Sequence, residues 1–129
     1  MRQRRNAPGN LGERGMSLVD GYGRKIVSLR VSVTDRCNLR CTYCVPPEGM
    51  RVCREGALLT FAEIERVVRV AARLGVTRVR LTGGEPLLRP GLADLVARLT
   101  RLEGVEEVSL TTNGVYLAKW AEPLRRAGL

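Results

Sequence analysis

Ile26-Val27-Ser28-Leu29-Arg30-Val31-Ser32-Val33 runs through Thr34-Asp35-Arg36 into Cys37-Asn38-Leu39-Arg40-Cys41-Thr42-Tyr43-Cys44. The first part is β-branched and roughly alternating, which predicts a strand with Leu29, Val31 and Val33 on one face and Ile26, Ser28, Arg30 and Ser32 on the other. Arg30 is then a charge within a strand, placed either on an exposed edge or inside a barrel that binds an anion. The second part holds three cysteines at spacing C-x3-C-x2-C. Cysteine thiolates hold iron–sulfur clusters, and a cubane cluster has four irons. Three thiolates leave the fourth iron without a protein ligand, and an open metal position is where a substrate or cofactor binds. The stretch therefore reads as a strand whose carboxyl end carries a reactive metal centre.

Two further strand-to-loop junctions follow. Arg78 to Thr82 predicts a second strand that enters Gly83-Gly84-Glu85-Pro86, where the glycines let backbone approach a ligand closely. Val105 to Thr111 predicts a third, followed by Thr111-Thr112-Asn113-Gly114. Between them, Thr60-Phe61-Ala62-Glu63 is a capping box opening a helix to about Leu74, stopped by Gly75. Phe61, Ile64, Val68 and Ala71 share its inner face. A second helix is expected over Gly91–Leu102, with Leu92, Leu95, Val96, Leu99 and Leu102 as its buried stripe. A third is expected from Val115 to about Ala127, anchored by Trp120 and Leu124 and kinked near Pro123. Alternating strands and helices predict an α/β fold with parallel strands, whose sites form at the carboxyl ends. All three unusual loops fall there, so parallel packing gathers them on one rim.

Composition narrows the class. The chain has 129 residues, 44% apolar but only 4% aromatic, so Leu, Val and Ala must build one modest core. There is no histidine, which removes imidazole acid–base chemistry and mixed Cys/His zinc sites. No apolar run reaches the roughly 20 residues of a membrane span, and no apolar segment follows the basic start, so a cytoplasmic protein is expected. The net charge is +9. Its arginines are scattered, which fits solvated helices better than a nucleic-acid surface. Residues 1–23, rich in glycine, predict a flexible basic arm before a core domain over 24–129.

The cysteine spacing, with Tyr43 just before the last cysteine, resembles the signature of the radical S-adenosylmethionine (SAM) superfamily, and Gly83-Gly84-Glu85-Pro86 resembles its second hallmark. Within the superfamily, Leu29–Arg36, Pro46-Pro47-Glu48-Gly49, Leu59-Thr60-Phe61 and Arg80–Leu87 are similar to the GTP 3′,8-cyclase family, lyases that open molybdenum cofactor biosynthesis. The resemblance implies Cys37, Cys41 and Cys44 as ligands of a [4Fe-4S] cluster. It implies SAM contacts at Tyr43, Gly83, Gly84 and Glu85, the last as acceptor for the SAM ammonium. It implies GTP contacts at Arg30, Arg80 and Thr111, with Arg78 a further cation. A 5′-deoxyadenosyl radical would take hydrogen from the ribose C3′, and that carbon would add to C8 of guanine. An electron donor such as flavodoxin or ferredoxin is implied as a partner.

The fold implied is a partial parallel (β/α)6 TIM-type barrel, of which this chain supplies three βα units as its N-terminal half. A complete parallel barrel needs about 200 residues or more, so the chain reads as part of a longer protein whose missing C-terminal half, or a partner chain, carries the family's second cluster. Two other readings stay open. Another radical SAM enzyme, such as a peptide-modifying maturase, would share the cysteine and glycine loops without needing Arg30 and Arg80. A non-enzymatic module would hold zinc with Cys53 as a fourth ligand, although the paired C-x2-C spacing of common zinc sites is missing.

Overall fold

The computed structural model describes residues 17–46, 48–49 and 57–129. Cys53 lies outside the described residues. Three strands, β1 (Ser28–Ser32), β2 (Arg78–Thr82) and β3 (Glu107–Leu110), alternate with three helices, α1 (Phe61–Arg73), α2 (Leu92–Leu99) and α3 (Leu117–Arg126). The sheet order is β1-β2-β3, all parallel. The α/β alternation expected from sequence is therefore present as an open three-stranded sheet.

Each helix covers the same side of that sheet. Val33, Val79, Leu81 and Val108 from the strands meet Ile64 and Val68 of α1, Leu92, Leu95, Val96 and Leu99 of α2, and Leu124 of α3. Trp120 and Leu102 pack against this cluster without being fully buried. The alternate strand residues face the other way. The register places Ser28 beside Arg78, Arg30 beside Arg80, Ser32 beside Thr82 and Arg80 beside Ser109, so residues of one face line up in rows across the strands. No helix covers these rows, and Ser28, Arg30, Ser32, Arg78 and Arg80 are exposed. Arg30 is exposed on β1, an edge strand of this open sheet, and lies on its uncovered polar face.

The element ends have local causes. At α1, Thr60 Oγ1 accepts from the Glu63 N–H (3.2 Å) while the Glu63 carboxylate accepts from the Thr60 N–H (2.7 Å), the expected capping box. β1 begins after Ile26 because the Ile26 N–H is taken by the Leu18 carbonyl (2.9 Å). Residues 17–23, the described part of the expected arm, make a turn in which Val19 bridges to Lys25. β3 starts later than Val105, since the Glu106 and Glu107 N–H groups both turn to the Thr77 carbonyl.

Two helices are shorter than the periodicity predicts. Gly91, at φ 75°, caps α2 in a left-handed conformation instead of opening the helix, so Pro90 lies outside its first turn. At the other end, Thr100 Oγ1 donates to Ala97 and Ala127 carbonyls, and the helix stops before Leu102. α3 starts at Leu117, because Asn113 Oδ1 accepts the Val115 N–H (3.1 Å) and holds residues 113–115 in a turn. The helix passes through Pro123 to Arg126 without interruption. A short 3-10 turn, Pro86–Leu88, was not anticipated; it is capped by the Glu85 side chain.

Candidate functional site

The carboxyl ends of β1, β2 and β3 lie side by side, so the three loops after them share one rim. Two hydrogen bonds lock the first two loops together: Gly84 N–H donates to the Thr34 carbonyl (2.8 Å) and Glu85 N–H to the Arg36 carbonyl (2.7 Å). The approach is so close that only glycine fits. A Cβ on Gly83 would stand 2.5 Å from the Thr34 oxygen, and one on Gly84 would stand 2.2 Å from the Arg36 oxygen. The glycine pair thus does what a close backbone approach requires, but the first backbone it approaches is its own.

The cysteine loop is built on local bonds. Cys44 and Val45 N–H groups both donate to the Cys41 carbonyl (3.0 Å each), a tight turn that brings Cys41 and Cys44 together. Arg40 folds back to donate to the Cys37 and Leu39 carbonyls (2.9 and 3.0 Å). Tyr43 projects outward, 89% exposed, and thiolate charge at Cys41, then at Cys44, pushes its phenol pKa up. All three thiols are free.

Two adjoining hollows open on this rim. One, about 660 Å³, is bordered by Cys37, Cys41 and Cys44 with Asp35, Glu48, Gly83 and Gly84. The other, about 530 Å³, shares the three cysteines and the two glycines and adds Arg30, Tyr43, Glu85, Thr111 and Asn113. Of the site residues predicted from sequence, Arg80 and the further cation Arg78 are outside these two; they stand with Arg30 around a third hollow of about 250 Å³ lower on the open sheet face. Arg80 Nε reaches Ser109 Oγ at 3.4 Å.

Glu85 is placed differently from its neighbours. It is 1% exposed, and its carboxylate accepts from Leu87 N–H (3.0 Å), Thr112 Oγ1 (2.7 Å) and Asn113 N–H (2.8 Å). A carboxylate has about four lone-pair positions, so most of its capacity is spent on the chain itself. Asn113 Nδ2 in turn donates to Asn38 Oδ1 inside the cysteine loop (2.9 Å). Arg89 is a second brace that sequence reading missed. Its guanidinium lies 4.5 Å from the Phe61 ring centre and donates to the Val33 carbonyl (2.6 Å) and to that of Leu59. Burial lowers its pKa, though an arginine remains charged. No local signal marks Arg89, because its partners are 56 and 30 residues away.

Among the described residues no three Cys, Asp or Glu side chains are gathered closely enough to hold a metal ion as they stand. The donor chemistry nevertheless fits an iron–sulfur cluster. Three free thiols border one open hollow, and thiolates are the ligands such clusters take. The Cys44 and Val45 N–H bonds to the Cys41 carbonyl place two of the three thiols on one tight turn.

The sequence profile of the Radical SAM superfamily matches residues 31–129. The chain is 49% identical over 112 residues to a GTP 3′,8-cyclase of Petrotoga mobilis, covering 87% of this chain and 35% of that protein. It is 54% identical over 110 residues to one from Pelotomaculum thermopropionicum (85% and 34%). A third, from Mycolicibacterium smegmatis, is 56% identical over 113 residues (87% and 31%). The chain thus spans about a third of the length of these curated relatives. With the profile covering every strand end described above, the chain belongs to the Radical SAM superfamily, whose members use a [4Fe-4S] cluster and S-adenosylmethionine.

Proposed function

We propose that this chain carries the cluster-binding and SAM-binding rim of a GTP 3′,8-cyclase, acting in the first step of molybdenum cofactor biosynthesis in the cytoplasm. The observation that carries the reading is the pair of adjoining hollows. Both are bordered by the three free thiols and by Gly83 and Gly84, and the second is bordered by Arg30 and Thr111 as well. Cys37, Cys41 and Cys44 would hold the cluster. Tyr43, Gly83 and Gly84 border the position SAM would take, and Glu85 reaches it only through acceptor capacity left on Oε2, which receives a single donor. When bound, the cluster and SAM together supply a 5′-deoxyadenosyl radical.

The protein's own residues bind and orient the nucleotide. The register sets Arg30 directly beside Arg80 on the open face, with Arg78 one row below. Guanidinium forks match phosphate oxygens in charge and geometry, and two adjacent forks suit a polyphosphate better than a single anion. Thr111 adds a hydroxyl at the end of β3. Further protein, in a longer polypeptide or a partner chain, would cover the guanine end, and an electron donor such as flavodoxin or ferredoxin would supply reducing equivalents.

The test begins with iron and acid-labile sulfide per chain after anaerobic reconstitution, with absorption spectra before and after SAM. About four irons per chain and a spectrum perturbed by SAM are expected. Zinc in their place would refute the reading. GTP binding to Arg30→Ala then separates the cyclase from other radical SAM enzymes. Loss of GTP affinity is expected, and indifference would point to a substrate of another class.

A further inference from the structure

We propose that Glu85 is a positioning residue that fixes the cysteine loop from a distance, through Asn113 and Asn38. Its meaning for the cofactor rests on the cluster reading above, but its geometry does not. Glu85 is the one buried carboxylate among the described residues. Oε1 is occupied by Leu87 N–H and the Thr112 hydroxyl, and Oε2 by the Asn113 N–H. That last bond fixes the backbone of Asn113. The Asn113 amide cannot turn over freely, because its Oδ1 accepts the Val115 N–H (3.1 Å). Its Nδ2 is therefore directed at Asn38 Oδ1, and Asn38 is the residue next to Cys37. One carboxylate thus links the loop after β2 to the loop after β3, and that loop to the root of the loop after β1.

Glutamine in place of Glu85 isolates the effect. Its amide oxygen can still serve Leu87 and Thr112, but its NH2 then confronts the Asn113 N–H, donor against donor. The readouts use the metal-free, reduced 129-residue chain: amide hydrogen exchange at Asn113, and iodoacetamide alkylation rates of each thiol by mass spectrometry. In Glu85→Gln, Asn113 should exchange faster, and Cys37 should be alkylated roughly 2- to 10-fold faster, the scale of one lost hydrogen bond. Cys44, already exposed, should change little. Asn38→Ala should raise the Cys37 rate similarly while leaving Asn113 protected, and the double variant should not exceed the larger single effect. An unchanged Cys37 rate, or single effects that multiply, would overturn the proposal. If Glu85→Gln does not fold, Asn38→Ala, Asn113→Ala and their double variant decide by the same criteria. No iron enters this readout, so a chain that never takes up a cluster would sink the proposed function and leave this inference standing.

Discussion

Arg80 and Leu81 are neighbours in β2, yet Leu81 is wholly buried and Arg80 is exposed. A smaller step of the same kind separates exposed Arg30 from half-buried Val31 and half-buried Ser109 from buried Val108 along the other strands. One face of the sheet is sealed by three helices and consists of aliphatic side chains. The other is uncovered and consists of arginine, serine and threonine with one carboxylate, Glu107, beside Arg78. The pleat alone produces this division, because successive side chains point to opposite faces. It teaches that the strands serve two ends at once: the odd-numbered residues of β2 and their partners hold the fold together, and the even-numbered ones are free to meet a ligand.

The strongest way to break that contrast is to empty the covered face. Leu81→Ala should cost about 2–5 kcal/mol, as a fully buried leucine does, read as a lower denaturant midpoint at constant slope. A loss below about 1 kcal/mol would mean that this face is not the core. Next comes the rim where the faces meet. Gly84→Ala should cost about 1–3 kcal/mol through overpacking against the Arg36 carbonyl, with faster amide exchange at Glu85. Unchanged exchange there would show that the loops are not locked. A smaller effect tests the helix that seals the core: Thr60→Ala should lose about 1 kcal/mol with the cap.

The capping box also makes a pH prediction. Glu63 accepts from the Thr60 backbone and then its hydroxyl, which holds its pKa below the ordinary 4.5. Its stabilising contribution is therefore complete above that value and is lost as pH falls through the lower folded one. Glu63→Gln should flatten this part of the acid limb of stability, and parallel limbs would refute the assignment. The smallest effect belongs to the open face. Arg30→Ala should shift stability by no more than about 0.5 kcal/mol, toward greater stability, since it removes a like charge set beside Arg80. A loss above about 1 kcal/mol would show that the open face also supports the fold.

Much of this division is legible in the residues. Val-x-Leu in β2 and Leu-x-Val in β1 announce the covered face, and Arg30 and Arg80 stand out as charges within strands. The cysteine spacing and the glycine pair announce the rim, and Thr60 with Glu63 announces α1 to within a residue. What stays hidden depends on distance. Glu85 reads as a ligand contact from sequence, because nothing local reveals that Thr112 and Asn113 will enclose it. Gly91 reads as helix, yet its left-handed conformation makes it the cap of α2 and not its first residue. Arg89 carries no signal at all, since its three partners are Val33, just past β1, and Leu59 and Phe61 at the entry to α1.

The bonds that tie the cysteine loop to the rest of the sheet all come from later in the chain. Thr34 and Arg36 receive their donors from Gly84 and Glu85, and Asn38 receives its donor from Asn113. During synthesis, then, the three thiols leave the ribosome well before the residues that anchor their loop. Asn113 follows Cys44 by about 70 residues, several seconds at roughly 5–20 residues per second. For that interval the nascent chain presents three reactive sulfurs on a segment that only its own local bonds can shape. The moment at which metal can be received in the right geometry is set by the emergence of the third strand and its loop, not by the cysteines themselves.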